Sequence, residues 1–157
     1  MKETLLMKKL DHNILILGIG NNGRQDDGMG WLFLDFLKEQ DSIIDLEYKY
    51  QLQIEDAELI SNYDKVFFVD DTKEITEDGF YIRPCNPSEK YSFSSHALKP
   101  ETILYLSNKL YNHNPEASIL GIQGYEWELR IGLSQKGVVN FNKAIKYFKD
   151  KILINYL

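Results

Sequence analysis

The segment Asn13–Gly30 (NILILGIGNNGRQDDGMG) places an apolar strand, a glycine turn and a helix start in direct succession. Because Ile14–Leu17 is apolar at consecutive rather than alternate positions, it is typical of a strand that is buried on both faces, as in parallel sheets. The helical pattern that follows, from about Asp26 to Lys38, has one apolar stripe that would cover such a strand. This order predicts an α/β fold in which parallel strands alternate with helices.

The alternation continues along the chain. We predict further strands near Ile43–Lys49, Lys65–Asp70, Gly79–Arg83 and Ala117–Gln123, helices at Ile54–Ser61, Pro100 to about Tyr111 and Gln135–Lys149, and loops at Asn86–Lys99 and Gly124–Ser134. The last helix is expected to turn Val138, Phe141, Ala144, Ile145 and Phe148 inward. Residues 1–157 are therefore predicted to form a single α/β domain with a mostly parallel, five-stranded twisted sheet and helices on both faces, of the phosphorylase/hydrolase-like type. Residues 1–12 are predicted to be an N-terminal extension.

The composition excludes several classes of protein. With a formal net charge of −6, the chain is not expected to bind nucleic acid or an anionic membrane. Its one cysteine, Cys85, excludes an internal disulfide and a multi-cysteine metal site. The sequence has no stretch approaching 18 apolar residues and no signal-peptide pattern, so we expect a cytoplasmic protein without a membrane span.

Acidic residues occupy two turns at the predicted carboxyl edge of the sheet. Asp26 and Asp27 follow the first strand, Asp70 ends the third, and the loop after the fourth carries His96. Open α/β sheets bind their ligands at this edge. Two carboxylates and one imidazole suit Ni²⁺, Zn²⁺, Co²⁺ or Fe²⁺, and the sequence does not rank these metals. Structural interpretations stay open, because aspartates also suit helix starts and Asx turns.

A dinucleotide-binding module is an alternative interpretation of the same turn. Gly18, Gly20 and Gly23 have the G-x-G-x-x-G spacing, and Asp45 or Glu47 is a candidate for the acidic residue at the end of strand two. A pyrophosphate, however, needs free backbone N–H groups and the positive end of a helix. The paired aspartates would repel it there, so they favour a cation over a dinucleotide.

Four motifs in the same order resemble those of the [NiFe]-hydrogenase maturation endopeptidases. They are GIGN-x-x-R-x-DDG-x-G (Gly18–Gly30), VFFVDD (Val66–Asp71), SSHALKPETIL (Ser94–Leu104) and LGIQGYEWELRIGLS (Leu120–Ser134). Enzymes of this family are cytosolic and remove a C-terminal extension from the hydrogenase large subunit after nickel has been installed. The resemblance covers about residues 13–148, and four ordered motifs are more specific than any one of them.

The resemblance implies which residues form the site. Asp27, Asp70 and His96 match the catalytic, nickel-binding trio of the family, and the nickel is supplied by the substrate. Candidate substrate-binding residues are Asn21, Arg24, Asp26, Gln51, Glu55 and Glu128. Gln51 and Glu55 belong to a stretch that resembles the Q-L-x-x-E variant of the family's substrate-selection region, but they suit a helix start equally well.

The resemblance also implies the partner and the reaction. The partner is the large-subunit precursor, the enzyme is expected to be a monomer, and the peptide bond is cleaved without a serine or cysteine nucleophile. A member of the same family that binds the precursor as a checkpoint or chaperone without cleaving it is the alternative that the motifs leave open.

Overall fold

The structure, a computed structural model, describes residues 13–90 and 98–157, and within them five strands form one sheet. The strands are β1 (Ile14–Ile19), β2 (Asp45–Lys49), β3 (Lys65–Thr72), β4 (Phe80–Pro84) and β5 (Glu116–Gln123). Their order across the sheet is β2-β1-β3-β5-β4. All neighbouring pairs are parallel except β4 and β5, which are antiparallel.

Helices cover both faces of the sheet. They are α1 (Met29–Lys38), α2 (Asp56–Ile60), α3 (Pro100–Tyr111) and α4 (Gln135–Lys151), with 3₁₀ turns at Gln25–Gly28 and Leu153–Tyr156. Ile14 and Ile16 pack with α1 and α4, whereas Leu15 and Leu17 pack with α2 and α3. Alternate side chains of a strand point to opposite faces, so a continuous apolar strand fills both cores. The predicted α/β fold class is confirmed.

Within the described ranges, none of the helices combines the length and the apolar character that crossing a membrane requires.

Two predicted boundaries differ from the structure at the site. The first helix begins at Met29, not near Asp26, because a 3₁₀ turn with Gln25 in the left-handed region (φ 46°) precedes it. Strand β3 continues two residues past Asp70 to Thr72, since Asp71 and Thr72 still pair with β5. Both differences lie at the carboxyl edge of the sheet.

The prediction that Val138 faces inward is wrong, because this side chain is 41% exposed. Gly137 and Asn140 are buried in its place. The Asn140 amide donates to the backbone oxygen of Gln123 (3.1 Å), and Gly137 lies against the turn that contains Asp26. The first turn of α4 is thus oriented by polar contacts rather than by its apolar stripe.

Gly30 allows α1 to lie directly on the ends of two strands. A Cβ atom at this position would lie 2.4 Å from the backbone oxygen of Ile19 and 2.7 Å from that of Val69. Such distances require the helix to move away, so only glycine permits this approach. The contact places the turn Gln25–Gly28 beside the carboxyl ends of β1 and β3.

Candidate active site

Three carboxylates meet at the carboxyl edge of the sheet. Asp27 comes from the 3₁₀ turn, and Asp70 and Asp71 come from the end of β3. One side-chain oxygen from each lies within 4.8 Å of the other two, an arrangement that could hold a metal ion. The structure therefore brings together Asp27 and Asp70, as the sequence predicts, and adds Asp71. The third predicted ligand, His96, lies outside the described residues.

Burial and mutual repulsion make these carboxyl groups hard to ionise. Burial raises the pKa of Asp27 to about 7, with hydrogen bonding to Asp71 and repulsion by it adding to the effect, while Arg24 opposes it. The pKa of Asp70 is also raised well above its usual range, first by burial and then by the charge of Asp71. The repulsion within such a group of carboxylates is reduced either when they hold protons or when they bind a cation.

A cleft of about 240 Å³ opens beside the carboxylates. It is lined by Ile19, Gly20, Asp27, Tyr50, Gln51, Leu52, Asp70, Leu98 and Pro100. Tyr50 is 67% exposed and packs on Trp31 with their ring centroids 4.8 Å apart. Apolar walls with two carboxylates among them suit an extended peptide that carries a positive centre. Leu98 follows His96 by two positions in the sequence.

Asp26 is buried and anchors the segment between β5 and α4. Its carboxylate accepts hydrogen bonds from the backbone N–H groups of Tyr125 (2.7 Å), Glu126 (3.1 Å) and Ser134 (2.8 Å) and from the Ser134 hydroxyl (2.7 Å). The side chain has no exposed surface and does not line the cleft. We therefore interpret Asp26 as a structural residue rather than a substrate contact.

Arg24 and Asn21 lie in the turn that carries Asp27. Arg24 Nη1 is 3.8 Å from Asp27 Oδ2, and Nη2 donates a long hydrogen bond (3.4 Å) to the backbone oxygen of Trp127. The Asn21 side chain accepts from the N–H of Gly23 (2.8 Å), so it shapes the turn. Arg24 is thus placed beside the Asp27 carboxylate, while the Asn21 side chain supports the backbone of the turn.

The remaining candidate substrate contacts are spread over the surface. Gln51 lines the cleft and is exposed. Glu55 and Glu128 are exposed and do not line it. The backbone N–H of Glu128 instead binds the side chain of Gln25 (3.0 Å), next to a separate hollow of about 330 Å³. Only Gln51 of these three has a position from which it could contact a peptide in the cleft.

Asp71 and Trp127 are site residues that sequence reasoning missed. Trp127 Nε1 donates a hydrogen bond to Asp71 Oδ2 (2.8 Å), and the Lys73 ammonium lies 4.9 Å from the centre of the indole. The sequence signal for Asp71 is the second aspartate of VFFVDD. Alternation along a strand predicts that neighbouring side chains diverge, so this signal alone does not place Asp71 beside Asp70.

The backbone of the glycine turn argues against the dinucleotide alternative. The N–H of Asn21 donates to the oxygen of Asp27 (2.8 Å), and those of Gln25 and Asp26 donate to Arg130 (2.9 Å) and Glu126 (3.0 Å). The donors that a pyrophosphate would require are therefore already used.

The raised pKa values predict that the metal-free protein loses stability as the pH rises. With its pKa raised to about 7, Asp27 holds a proton in the folded state at pH values where the unfolded chain, with the ordinary aspartate pKa of 3.8, is ionised. Its stabilising contribution is thus complete below the unfolded pKa and lost as the pH passes the folded one. As the pH rises from 5 to 8, we expect the free energy of unfolding of Asp27→Asn to increase by roughly 1–3 kcal/mol relative to that of wild type, after allowance for partial solvent exposure.

Urea unfolding of both proteins at the two pH values measures this difference, because the carboxyl groups outside the cluster cancel in the comparison. An identical pH dependence in wild type and Asp27→Asn would contradict the electrostatic description of the site.

Solved structures of hydrogenase maturation proteins have the same architecture. The hydrogenase maturating endopeptidase HybD from E. coli matches with a TM-score of 0.68 at 18% identity, over 89% of this chain and 94% of its own. The [NiFe] hydrogenase maturation protease HycI from Thermococcus kodakarensis matches with a TM-score of 0.66 at 23% identity, over 88% of both chains. The hydrogenase 2 maturation peptidase from a Thaumarchaeota archaeon matches with a TM-score of 0.63 at 18% identity, over 90% of this chain and 99% of its own.

No protein-family model and no curated protein matches the chain. At identities of 18–23%, the structural likeness establishes the fold, and function has to be argued from the site. The resemblance that the sequence motifs indicate is confirmed for the fold: the chain has the fold of the [NiFe] hydrogenase maturation proteases.

Proposed function

We propose that the protein is an endopeptidase that removes the C-terminal extension of a [NiFe]-hydrogenase large-subunit precursor after nickel insertion. The reaction takes place in the cytoplasm, and the enzyme acts as a monomer that contacts its precursor transiently. Nickel reaches the site as part of the substrate, so that its presence reports that the precursor is ready for processing.

The convergence of Asp27 and Asp70 carries this proposal. These two residues belong to different motifs and are 43 positions apart, yet their carboxylates come together at the edge where α/β folds bind ligands. Solved structures with the same fold include named hydrogenase maturation proteases, and this is the family that the four ordered motifs resemble. Fold, motif order and site geometry thus support one activity.

The carboxylate cluster suits a divalent cation. Oxygen atoms within 4.8 Å of one another can close on one ion by side-chain rotation, and a cation would replace the protons that the raised pKa values hold. His96 would add the nitrogen ligand that nickel accepts well. A site without thiolates should hold free metal only modestly, which favours metal that arrives with the substrate.

The residues of the chain have distinct parts in the reaction. Asp27, Asp70 and His96 would hold the substrate's nickel and thereby place the scissile peptide in the cleft between Tyr50 and Leu98. A metal ion at this place can polarise a carbonyl group or activate a water molecule. A carboxylate of the cluster that does not hold the metal would be placed to accept and return the proton.

The proposal is tested by incubating the protein with precursor from the same organism, either nickel-loaded or nickel-free, and following its electrophoretic mobility. Shortening of the nickel-loaded form alone is the expected result. Nickel-dependent complex formation without shortening would instead favour the checkpoint function, and the absence of both would contradict the proposal.

Cleavage should not depend on Cys85. Its side chain is buried (6% exposed), and burial raises the pKa of the thiol to about 12, so almost no thiolate is present near neutral pH. Cys85→Ala should cleave the precursor at a rate within about twofold of wild type, since a buried thiol behaves as a small apolar group. Alkylating reagents should likewise fail to inhibit the native enzyme. A loss of activity in the folded variant would require a thiol-based mechanism.

A further inference from the structure

The segment between β5 and α4 presents two aliphatic side chains almost fully to solvent. Leu129 is 86% exposed and Ile131 is 90% exposed. We call the segment Trp127–Ile131 the apolar tip. A single exposed aliphatic residue needs no explanation, but two such residues on one short segment beside a candidate active site do.

The exposure does not come from a loosely held loop. The carboxylate of Asp26 accepts four hydrogen bonds from the segment, two of them in the residues immediately before the tip. The backbone N–H of Gln25 donates to the oxygen of Arg130 (2.9 Å), and the side chain of Gln25 accepts from the N–H of Glu128 (3.0 Å). The tip is therefore held in one conformation with its apolar side chains outward, which lowers the entropic cost of binding.

The tip is also continuous with the carboxylate cluster. Trp127 is bonded to Asp71, and Arg24 bridges the oxygen of Trp127 and the carboxylate of Asp27. Leu129 follows Trp127 by two residues, which span at most about 7 Å of chain. A substrate that placed its metal between the carboxylates would lie within reach of the tip.

The charges around the tip favour a polypeptide partner over a lipid surface, because both signs are present. Glu126 precedes Trp127 and Glu128 precedes Leu129, whereas Arg130 lies within the tip and Arg24 and Lys73 lie against Trp127. Mixed charges on a chain with a net charge of −6 do not form the polybasic cluster that attracts an anionic membrane. The alternation of Glu128, Arg130 and the aliphatic residues instead offers both apolar contact and hydrogen bonds to a peptide surface.

We propose that the apolar tip is a docking surface for the precursor, with Leu129 and Ile131 covered by apolar side chains of the polypeptide beside its metal-bearing end. This inference rests on the proposed function and extends it, because it assigns recognition of the precursor to a surface outside the cleft.

The test is the double variant Leu129→Ser with Ile131→Ser, assayed over a range of nickel-loaded precursor concentrations. A matched control is Leu110→Ser with Ile154→Ser, which removes one exposed leucine (59%) and one exposed isoleucine (62%) elsewhere. Leu110 lies about 15 Å along α3 from its start at the cleft, and Ile154 lies beyond the far end of the 17-residue helix α4.

We expect KM of the tip variant to rise by about 10- to 100-fold, with kcat within about threefold of wild type and an unchanged thermal midpoint. The control should match wild type in KM. An unchanged KM of the tip variant would overturn the docking surface, and so would an equal rise of KM in the control. In both cases the proposed function stands. Wild-type protein that does not shorten the precursor would overturn the proposed function. If the wild-type protein binds the precursor without cleaving it, the tip variant and the control are compared by their Kd for the precursor.

Discussion

Asp26→Ala should lower the free energy of unfolding by about 3–5 kcal/mol. The substitution leaves the backbone N–H groups of Tyr125, Glu126 and Ser134 without the acceptor that the fully buried Asp26 carboxylate provides. It also opens a void against Gly124 and Gly137, which lie directly on this carboxylate. Equilibrium unfolding in urea measures the loss.

The neighbouring residue provides the control. Asp27→Ala removes a carboxylate whose charge is unfavourable in the folded state, so it should leave the free energy of unfolding unchanged or raise it near neutral pH. Equal losses in the two variants would contradict the division of labour between these adjacent aspartates. A loss below about 1 kcal/mol for Asp26→Ala would show that the segment between β5 and α4 is held by other contacts.

Asp27→Asn and Asp70→Asn should abolish nickel-dependent cleavage while the protein remains folded. Loss of a residue that only orients a metal ligand typically costs about 10- to 100-fold in metal affinity or activity, and loss of a ligand itself should exceed this. Each amide keeps the size of the side chain but removes its negative charge. The measurement is the rate of shortening of the nickel-loaded precursor, with urea unfolding of each variant to confirm its stability.

Glu58→Gln is a suitable control for these charge-removing changes, since Glu58 is exposed on α2 and its side chain does not line the cleft. It should cleave at the wild-type rate. Cleavage by Asp27→Asn or Asp70→Asn at rates near that of the control would exclude the carboxylate cluster as the active site.

The sequence was sufficient to predict the fold because its apolar strands carry a strong signal. Ile14–Leu17 and Val66–Val69 are apolar at every position, and the structure buries them between two layers of helices. The meeting of Asp27 and Asp70 was predictable for the same reason, since parallel strands bring their carboxyl ends to one edge.

The different roles of Asp26 and Asp27 could not be predicted locally. Both follow the same strand, and both suit the first turn of a helix. The difference in their roles depends on the left-handed conformation of Gln25 and on a segment about 100 residues further along the chain. That segment supplies the hydrogen-bond donors for Asp26. The wrong prediction for Val138 has the same origin, because the contact of Gly137 with Asp26 orients α4.

Asp71 was not among the predicted site residues, and strand alternation gives no reason to add it, since alternation predicts that its side chain diverges from that of Asp70. In the structure all three carboxylates converge, and Trp127 from another motif holds the second aspartate. Such a contact between distant segments leaves no periodic signal in the sequence.

The most direct test of the account is the intact mass of the large-subunit precursor after incubation with the protein. The account predicts that wild type removes one C-terminal fragment from nickel-loaded precursor and leaves nickel-free precursor at full mass, while Asp27→Asn, Asp70→Asn and His96→Ala leave both forms intact. Removal of the fragment from nickel-free precursor, or by the carboxylate variants, would contradict a site in which these residues hold the substrate's nickel.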